Sequence, residues 1–350
     1  LAHGGRRGNG RAANGAKAGA GGDGGVRQAA APVPNDGAGR MEQLTAAEHG
    51  LVKQLVRDAA VAQSDDVRSL PLPRQAFVLD VASDYVRYTG ERDESQATAA
   101  RDHNRQLLTA RSLLRIPSED LSILPFATQP ESGHKTSRAS LGGGWRNNDS
   151  FEEFSVRTAY HDLLDPEPGY TPDAQIEIGS ISVRHYNRAD QTRIERATLL
   201  NVVSLSPIDS LFRAPSWKLN VGMQTIRHGE CQLCSNWSVN GGIGAATETH
   251  VLRREVWFAF AEVEGNYSRA YEERHRVGGG ASAGFYADVA ERWRVLASAT
   301  YLRYALGDRS DDVRWSVGQR YTLAQNWALR LDYNHRDHDN DVLFTVQAFF

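Results

Sequence analysis

The chain has 350 residues, of which 40% are hydrophobic and 24% charged, and its 40 Lys and Arg against 43 Asp and Glu give a net charge of -3. So even a balance offers no electrostatic basis for a nucleic-acid partner. The longest strictly apolar run, Val256 to Ala261, falls far short of the roughly 18 residues a spanning helix needs, which excludes a helical membrane protein. Two cysteines, Cys231 and Cys234, are too few for a disulfide scaffold or a four-cysteine zinc site.

Residues 1–40 are rich in Gly, Ala and Arg and nearly free of large apolar side chains. Such a segment cannot offset its ordering entropy and is expected to be disordered. A Gly/Arg tract that binds RNA is the alternative, but Arg is sparse and aromatics are absent. The segment also lacks the apolar core of a secretory signal peptide. Because the first residue is Leu1, the expectation is a truncated gene product.

Residues 41–116 change to a helical period. Thr45 to Glu48 reads TAAE, a capping box in which the threonine oxygen and the glutamate carboxylate satisfy orphan amides at a helix start. Leu51, Val52, Leu55 and Val56 follow at helical spacing, and Phe77, Val78, Val81 and Tyr85 mark a second helix with Pro73 in its first turn. A third stretch, ATAARDHNRQLLTARSLLR, is very polar. Three such helices bury little by themselves, so the segment reads as the tail of a larger domain. Pro117, Pro125 and Pro130 then mark a linker over 117–133.

Residues 134–350 read as strand throughout. The clearest example is SWKLNVGMQ, where Trp217, Leu219, Val221 and Met223 point one way and Lys218, Asn220, Gly222 and Gln224 the other. About twelve such segments follow one another, ending in DVLFTVQAFF, which places Val342, Phe344, Val346, Ala348 and Phe350 on one face. Around Gly179 the apolar parity slips, which predicts a bulge. An exposed strand with the terminal pattern would aggregate in water, so something covers that face. A sandwich and a membrane barrel both explain alternation. The tryptophans favour the barrel: none occurs in residues 1–144, and Trp145, Trp217, Trp237, Trp293 and Trp327 lie toward strand ends, as an interfacial girdle requires. The expected fold is mainly β, a roughly 12-stranded antiparallel transmembrane barrel preceded by a short helical segment.

The ending TVQAFF resembles the C-terminal assembly signal of bacterial outer-membrane proteins. More specifically, AYHDLLDPEPGY, AQIEI, VVSLSPIDSLF followed by SWKLNVG, and NGGIGAA together resemble the C-terminal barrel of proteobacterial envelope proteins carrying an Lnb-type N-terminal periplasmic domain. The resemblance spans roughly residues 41 to 350. It implies an outer-membrane location, contact with lipid and lipopolysaccharide, and assembly by the barrel assembly machinery. It further implies a periplasmic module related to cysteine hydrolases and associated with lipoprotein acyl transfer. That module lies upstream of the matched region, and residues 1–133 contain no cysteine, so no catalytic residue carries over and the chain is expected not to be an enzyme.

If the last strand ends in the periplasm, the Cys231/Cys234 hairpin lies outside the cell, where a small disulfide is the first reading, with metal or redox chemistry the alternatives. The long connections HDLLDPEPGYTPD and SPIDSLFRAP then face the periplasm. His161, Asp162, Asp165 and Tyr170 are expected to dock the helical segment or a periplasmic partner there, with turn chemistry the blander explanation of the same residues. His335, Asp337, His338, Asp339 and Asp341 lack the spacing of a calcium loop and read as a solvated turn. The Gly142–Gly144 and Gly278–Gly280 runs read as close backbone approach rather than phosphate loops. No cofactor or metal is called for. Three functions fit: a barrel anchoring a periplasmic envelope-maintenance module, with a narrow pore as a further use; a barrel-embedded lipid-modifying enzyme; or a soluble β-rich binding protein.

Overall fold

A computed structural model describes residues 43–92, 97–118, 133–166, 169–208, 213–337 and 339–350. The expected disorder of residues 1–40 and most of the expected linker lie outside the described residues. Helices α1 (Ala46–Arg57), α2 (Asp65–Arg68), α3 (Leu72–Arg92) and α4 (Ala97–Leu113), with a 3-10 turn over Ala59–Gln63, come first. Among the described residues no helix is long and apolar enough to cross a membrane.

The α1 capping box forms as the sequence predicts, with the Thr45 amide donating to Glu48 Oε2 at 2.8 Å and the Glu48 amide to Thr45 Oγ1 at 3.3 Å. The same carboxylate takes Arg74 from α3 in a fork of 2.7 and 2.6 Å, pinning the two helix starts together. Leu51, Val52 and Leu55 meet Phe77, Val78 and Val81 in a buried cluster closed by Leu107 of α4. The expectation that these helices bury little is therefore corrected: thirteen apolar residues form a core of their own. Polar α4 joins it by close approach, since a Cβ on Gly90 would stand 2.3 Å from that of Ala100, and by Arg111 donating to Asp80 at 2.9 Å.

Twelve strands follow. They are β1 (Arg138–Arg146), β2 (Asp149–His161), β3 (Ala174–Tyr186), β4 (Gln191–Ser204), β5 (Ser216–His228) and β6 (Cys231–Thr249), then β7 (Glu255–Ser268), β8 (His275–Ala290), β9 (Trp293–Gly307), β10 (Ser310–Ala324), β11 (Trp327–Arg336) and β12 (Asp339–Phe349). Each pairs antiparallel with its sequence neighbours, and β1 pairs with β12 from Arg138↔Phe349 to Arg146↔Asp341, closing the barrel. Closure leaves no sheet edge to aggregate. The seam is tight: a Cβ on Gly144 would lie 1.8 Å from the Val342 carbonyl oxygen, so only glycine lets the inner wall curve this sharply. Around Gly179 the predicted bulge does not form, since the register of β3 with β2 and β4 runs through it unbroken; instead the φ of +63° at Gly179 turns the chain so that Ile178 and Ile181, three apart, are both exposed, and the register of β3 against β4 shifts between Ser182 and Val183.

The apolar faces are outside. All seven tryptophans are exposed, between 39% and 64%, which a sandwich core would not allow. They form two belts. Trp217, Trp257, Trp293 and Trp327 stand at the end where β1 begins and β12 finishes, here the near end, while Trp145, Trp237 and Trp315 stand toward the far end. Trp237 is not at a strand end, as the sequence suggested; β6 starts six residues earlier, so the β5–β6 hairpin projects past the belt.

Two outcomes follow. Arg74 hydrogen bonding holds Glu48 down to about 2 from 4.5, so its contribution is complete above pH 4.5 and is lost as pH falls toward 2. Amide exchange of Val52 and Leu55 should accelerate across that window and should lose the dependence in Arg74→Met. Gly144→Val should prevent seam closure, read as loss of the faster-migrating folded band in unheated gels.

Candidate functional site

The β2–β3 connection turns inward and closes the near end. Asp162 builds the turn: its Oδ1 accepts from the amides of Leu164 at 2.9 Å and Asp165 at 3.0 Å, while the Asp162 amide donates to Asp165 Oδ2 at 3.0 Å. This reciprocal lock aims both carboxylates at the barrel wall and leaves the two leucines between them.

Five arginines from five strands receive the turn. Arg138 of β1 and Arg330 of β11 donate to Asp162 Oδ2 at 2.9 and 2.8 Å. Arg157 of β2 donates to Asp165 Oδ2 at 2.6 Å, and Arg320 of β10 takes its other oxygen. Arg294 of β9 reaches the Leu163 carbonyl at 3.2 Å. Burial pushes the Asp162 carboxyl up, but Arg330, Arg138, Arg157 and Arg320 outweigh it and hold the group well below the usual carboxylate range. Asp165 is also lowered: burial and Asp162 push it up, and Arg320, Arg157 and Arg138 prevail.

The leucines pack in two directions, Leu163 across the lumen and Leu164 against the arginine side. Leu163 packs with Leu205, Ala246, Val256, Phe260 and Tyr286. Leu164 fills space that Gly318 leaves, since a Cβ there would meet Leu164 Cδ1 at 2.8 Å. Further along, the Tyr170 hydroxyl donates to the His134 carbonyl at 2.6 Å, and its ring lies 4.5 Å from each of the His134 and His161 rings. His134 in turn touches Phe349 of the terminal strand at 4.4 Å. Asp173 ends the connection, both its carboxylate oxygens accepting from Nη2 of Arg254 at 2.8 and 2.7 Å.

Of the four residues expected to dock the helical segment or a periplasmic partner, His161, Asp162 and Asp165 are buried in the barrel mouth and Tyr170 is half-buried. The two carboxylates and the Tyr170 hydroxyl are taken up within the chain, whereas neither ring nitrogen of His161 has a hydrogen-bond partner among the described residues. Cys231 and Cys234 are disulfide-bonded at the start of β6. Among the described residues no three His, Cys, Asp or Glu are placed to hold a metal. The His335–Asp341 group separates: Asp339 meets Arg146 at 2.5 Å, Asp341 pairs with Arg184, and His335 lies on the outer face beside Trp315. His338 lies outside the described residues.

Beyond the turn the lumen is polar and cross-braced. Arg314 of β10 spans to Glu264 of β7 at 2.9 and 2.6 Å, and Lys218 of β5 reaches Glu262 of β7 at 2.6 Å. Against the turn, among β1 to β4 and β9 to β12, lies a cavity of about 390 Å³.

The architecture defines a closed β-barrel with an apolar exterior, a polar interior and one end shut by its own loop. The chain belongs to the family described as "Domain of unknown function (DUF7840)", which matches residues 127–348; a second, "Domain of unknown function (DUF7842)", matches residues 38–121. No curated protein matches. Among solved structures the chain is similar to the KdgM porin, at 8% identity and a TM-score of 0.36 over 61% of this chain and 99% of that one. It is similar to the COG4313 outer membrane channel from Pseudomonas putida F1, at 9% identity and 0.35 over 67% and 100%. It is also similar to the translocator domain of autotransporter NalP from Neisseria meningitidis, at 8% and 0.31 over 73% and 98%.

Asp165→Asn should loosen the turn strongly, because it removes the ion-pair partner of buried Arg320 and leaves Arg157 only Asp162 at 3.6 Å, a loss on the order of 3–5 kcal/mol. Amide exchange at 162–165 reports it, and Arg320→Gln added to Asp165→Asn should recover part of the protection. Since both carboxyls are depressed, their contribution is present above the ordinary range and lost as pH falls through the lowered values. Acid should therefore release the loop only below about pH 4.

Proposed function

We propose that this chain is a bacterial outer-membrane β-barrel that anchors a periplasmic envelope-maintenance module and whose lumen is held shut at the periplasmic end by the β2–β3 loop. The observation that carries the reading is the pair of exposed tryptophan belts bounding an apolar outer band around a charged interior. Lipid accommodates that surface, and water does not. In this orientation the near end, with the helices before it in sequence, faces the periplasm. The outer partners are lipid and lipopolysaccharide, and the terminal face of Val342, Phe344, Val346, Ala348 and Phe350 is what the barrel assembly machinery would recognise. The likeness to Lnb-type envelope proteins supports assigning the periplasmic module to lipoprotein or cell-wall maintenance.

A narrow pore is a conditional use of the same barrel. Asp162, Asp165 and the two leucines stand across the lumen at one end, so permeation requires the loop to move. In planar bilayers the wild-type chain should conduct little, and Asp162→Asn with Asp165→Asn should raise the open-state conductance. The membrane reading itself is checked by extraction: the protein should leave the envelope fraction only with detergent and should show heat-modifiable migration. Release into plain buffer as a monodisperse particle would falsify it.

A further inference from the structure

The cavity beyond the loop has a chemistry that its ion pairs do not use. It holds about 390 Å³, roughly a dozen water volumes, and falls within the size range of ligand pockets. Five arginines and five carboxylates line it, so the wall carries no net charge. Most of these charges are engaged: Arg184 with Glu153 and Asp341, Arg330 with Asp332 and Asp162, and Glu195 with Arg146. Arg196 and Glu177, one of each sign, form no ion pair among the described residues.

The groups with spare hydrogen-bonding capacity are mostly uncharged. Asn201, Asn334, Ser180 and Ser182 line the space, are half-buried, and have no side-chain hydrogen bond among the described residues. Amides and hydroxyls both donate and accept, which suits a ligand whose groups do the same. Leu164, Leu296 and Leu343 add an aliphatic patch to the same wall. Hydroxyls around a ring with C–H faces match both features. A second space of about 260 Å³ shares Arg184, Glu195, Arg196, Ser316 and Asn334 with the first and reaches toward Arg146 and Asp339 at the far end. The second space thus continues the first toward the far side, and the Asp162–Leu164 turn forms the floor.

We propose that the lumen is a dead-end binding site for a neutral polyhydroxylated solute of one or two sugar rings, entering at the far end and stopping on the β2–β3 loop. This rests on the barrel reading, under which that end faces the cell exterior. The loop then serves as the bottom of a receptor site as well as a seal, and the neutral, balanced wall selects against charged solutes.

The test is saturation-transfer NMR with maltose on the full chain in lauryldimethylamine oxide micelles, a detergent with no sugar headgroup. Saturable transfer is expected for the wild type. Asn201→Leu and Asn334→Leu should each weaken it about tenfold, since each leaves a ligand hydroxyl without its partner. Ser182→Phe, which fills the space, should abolish it. All three variants should keep heat-modifiable migration, showing that the barrel still forms. Absence of saturable transfer in the wild type, or equal transfer in Ser182→Phe, overturns the site. Equal transfer to glucuronate or glucosamine overturns the selection for neutral solutes. None of these results touches the membrane reading, which is judged by migration and detergent dependence.

Discussion

Like charges on neighbouring strands repel, and this barrel places them side by side. Arg294, Arg320 and Arg330 occupy one rung across β9, β10 and β11, and Arg138 faces Arg157 across β1 and β2. Directly opposed cations destabilise a sheet, and more so when buried. Asp288 of β8 and Asp332 of β11 supply part of the compensation, to Arg294 and Arg330, and a connection supplies the rest. Asp162 and Asp165 reach four of the five guanidiniums, and the Leu163 carbonyl takes the fifth. The wall needs the turn for charge and the turn needs the wall for position, so neither is an independent element.

The same coupling explains how the two sides of the lumen are joined. Charge ties the turn to β1, β2 and β9 to β11, while Leu163 ties it to the apolar group around Phe260 and Tyr286 on β7 and β8. A loop held by ion pairs on one side and by packing on the other resists both salt and modest loss of area, because screening weakens only the first. The Arg314–Glu264 and Lys218–Glu262 braces repeat the principle farther along the lumen.

Much of the fold was legible in the sequence because a strand's side-chain period is two and a barrel's two environments differ sharply. Alternation in SWKLNVGMQ reports the inside and outside directly, and the parity slip at Gly179 reports a left-handed backbone residue rather than the bulge it suggested. The capping box was equally readable, since Thr45 and Glu48 are three residues apart. The site was less so. Asp162 and Asp165 looked like turn residues, which they are, but their partners are 24, 168, 8 and 155 residues away for Arg138, Arg330, Arg157 and Arg320. Arginines on a polar strand face read as solvated until the rungs are known. The usable signal was the excess of arginine at the near-end inward positions, which calls for acids from elsewhere. The helical unit was misjudged because polar α4 contributes little area while Gly90 of α3 lets it approach closely enough to seal the rest.

The seam between β1 and β12 is riveted from inside. The Asp162–Asp165 turn bonds Arg138 and Arg157 of β1 and β2 on one flank of that junction and Arg320 and Arg330 of β10 and β11 on the other, and His134, stacked on Tyr170, packs against Phe349 of the last strand. The first and last strands thus share an anchor that neither strand contributes, and whatever loosens the turn also loosens the joint at which the ring closes.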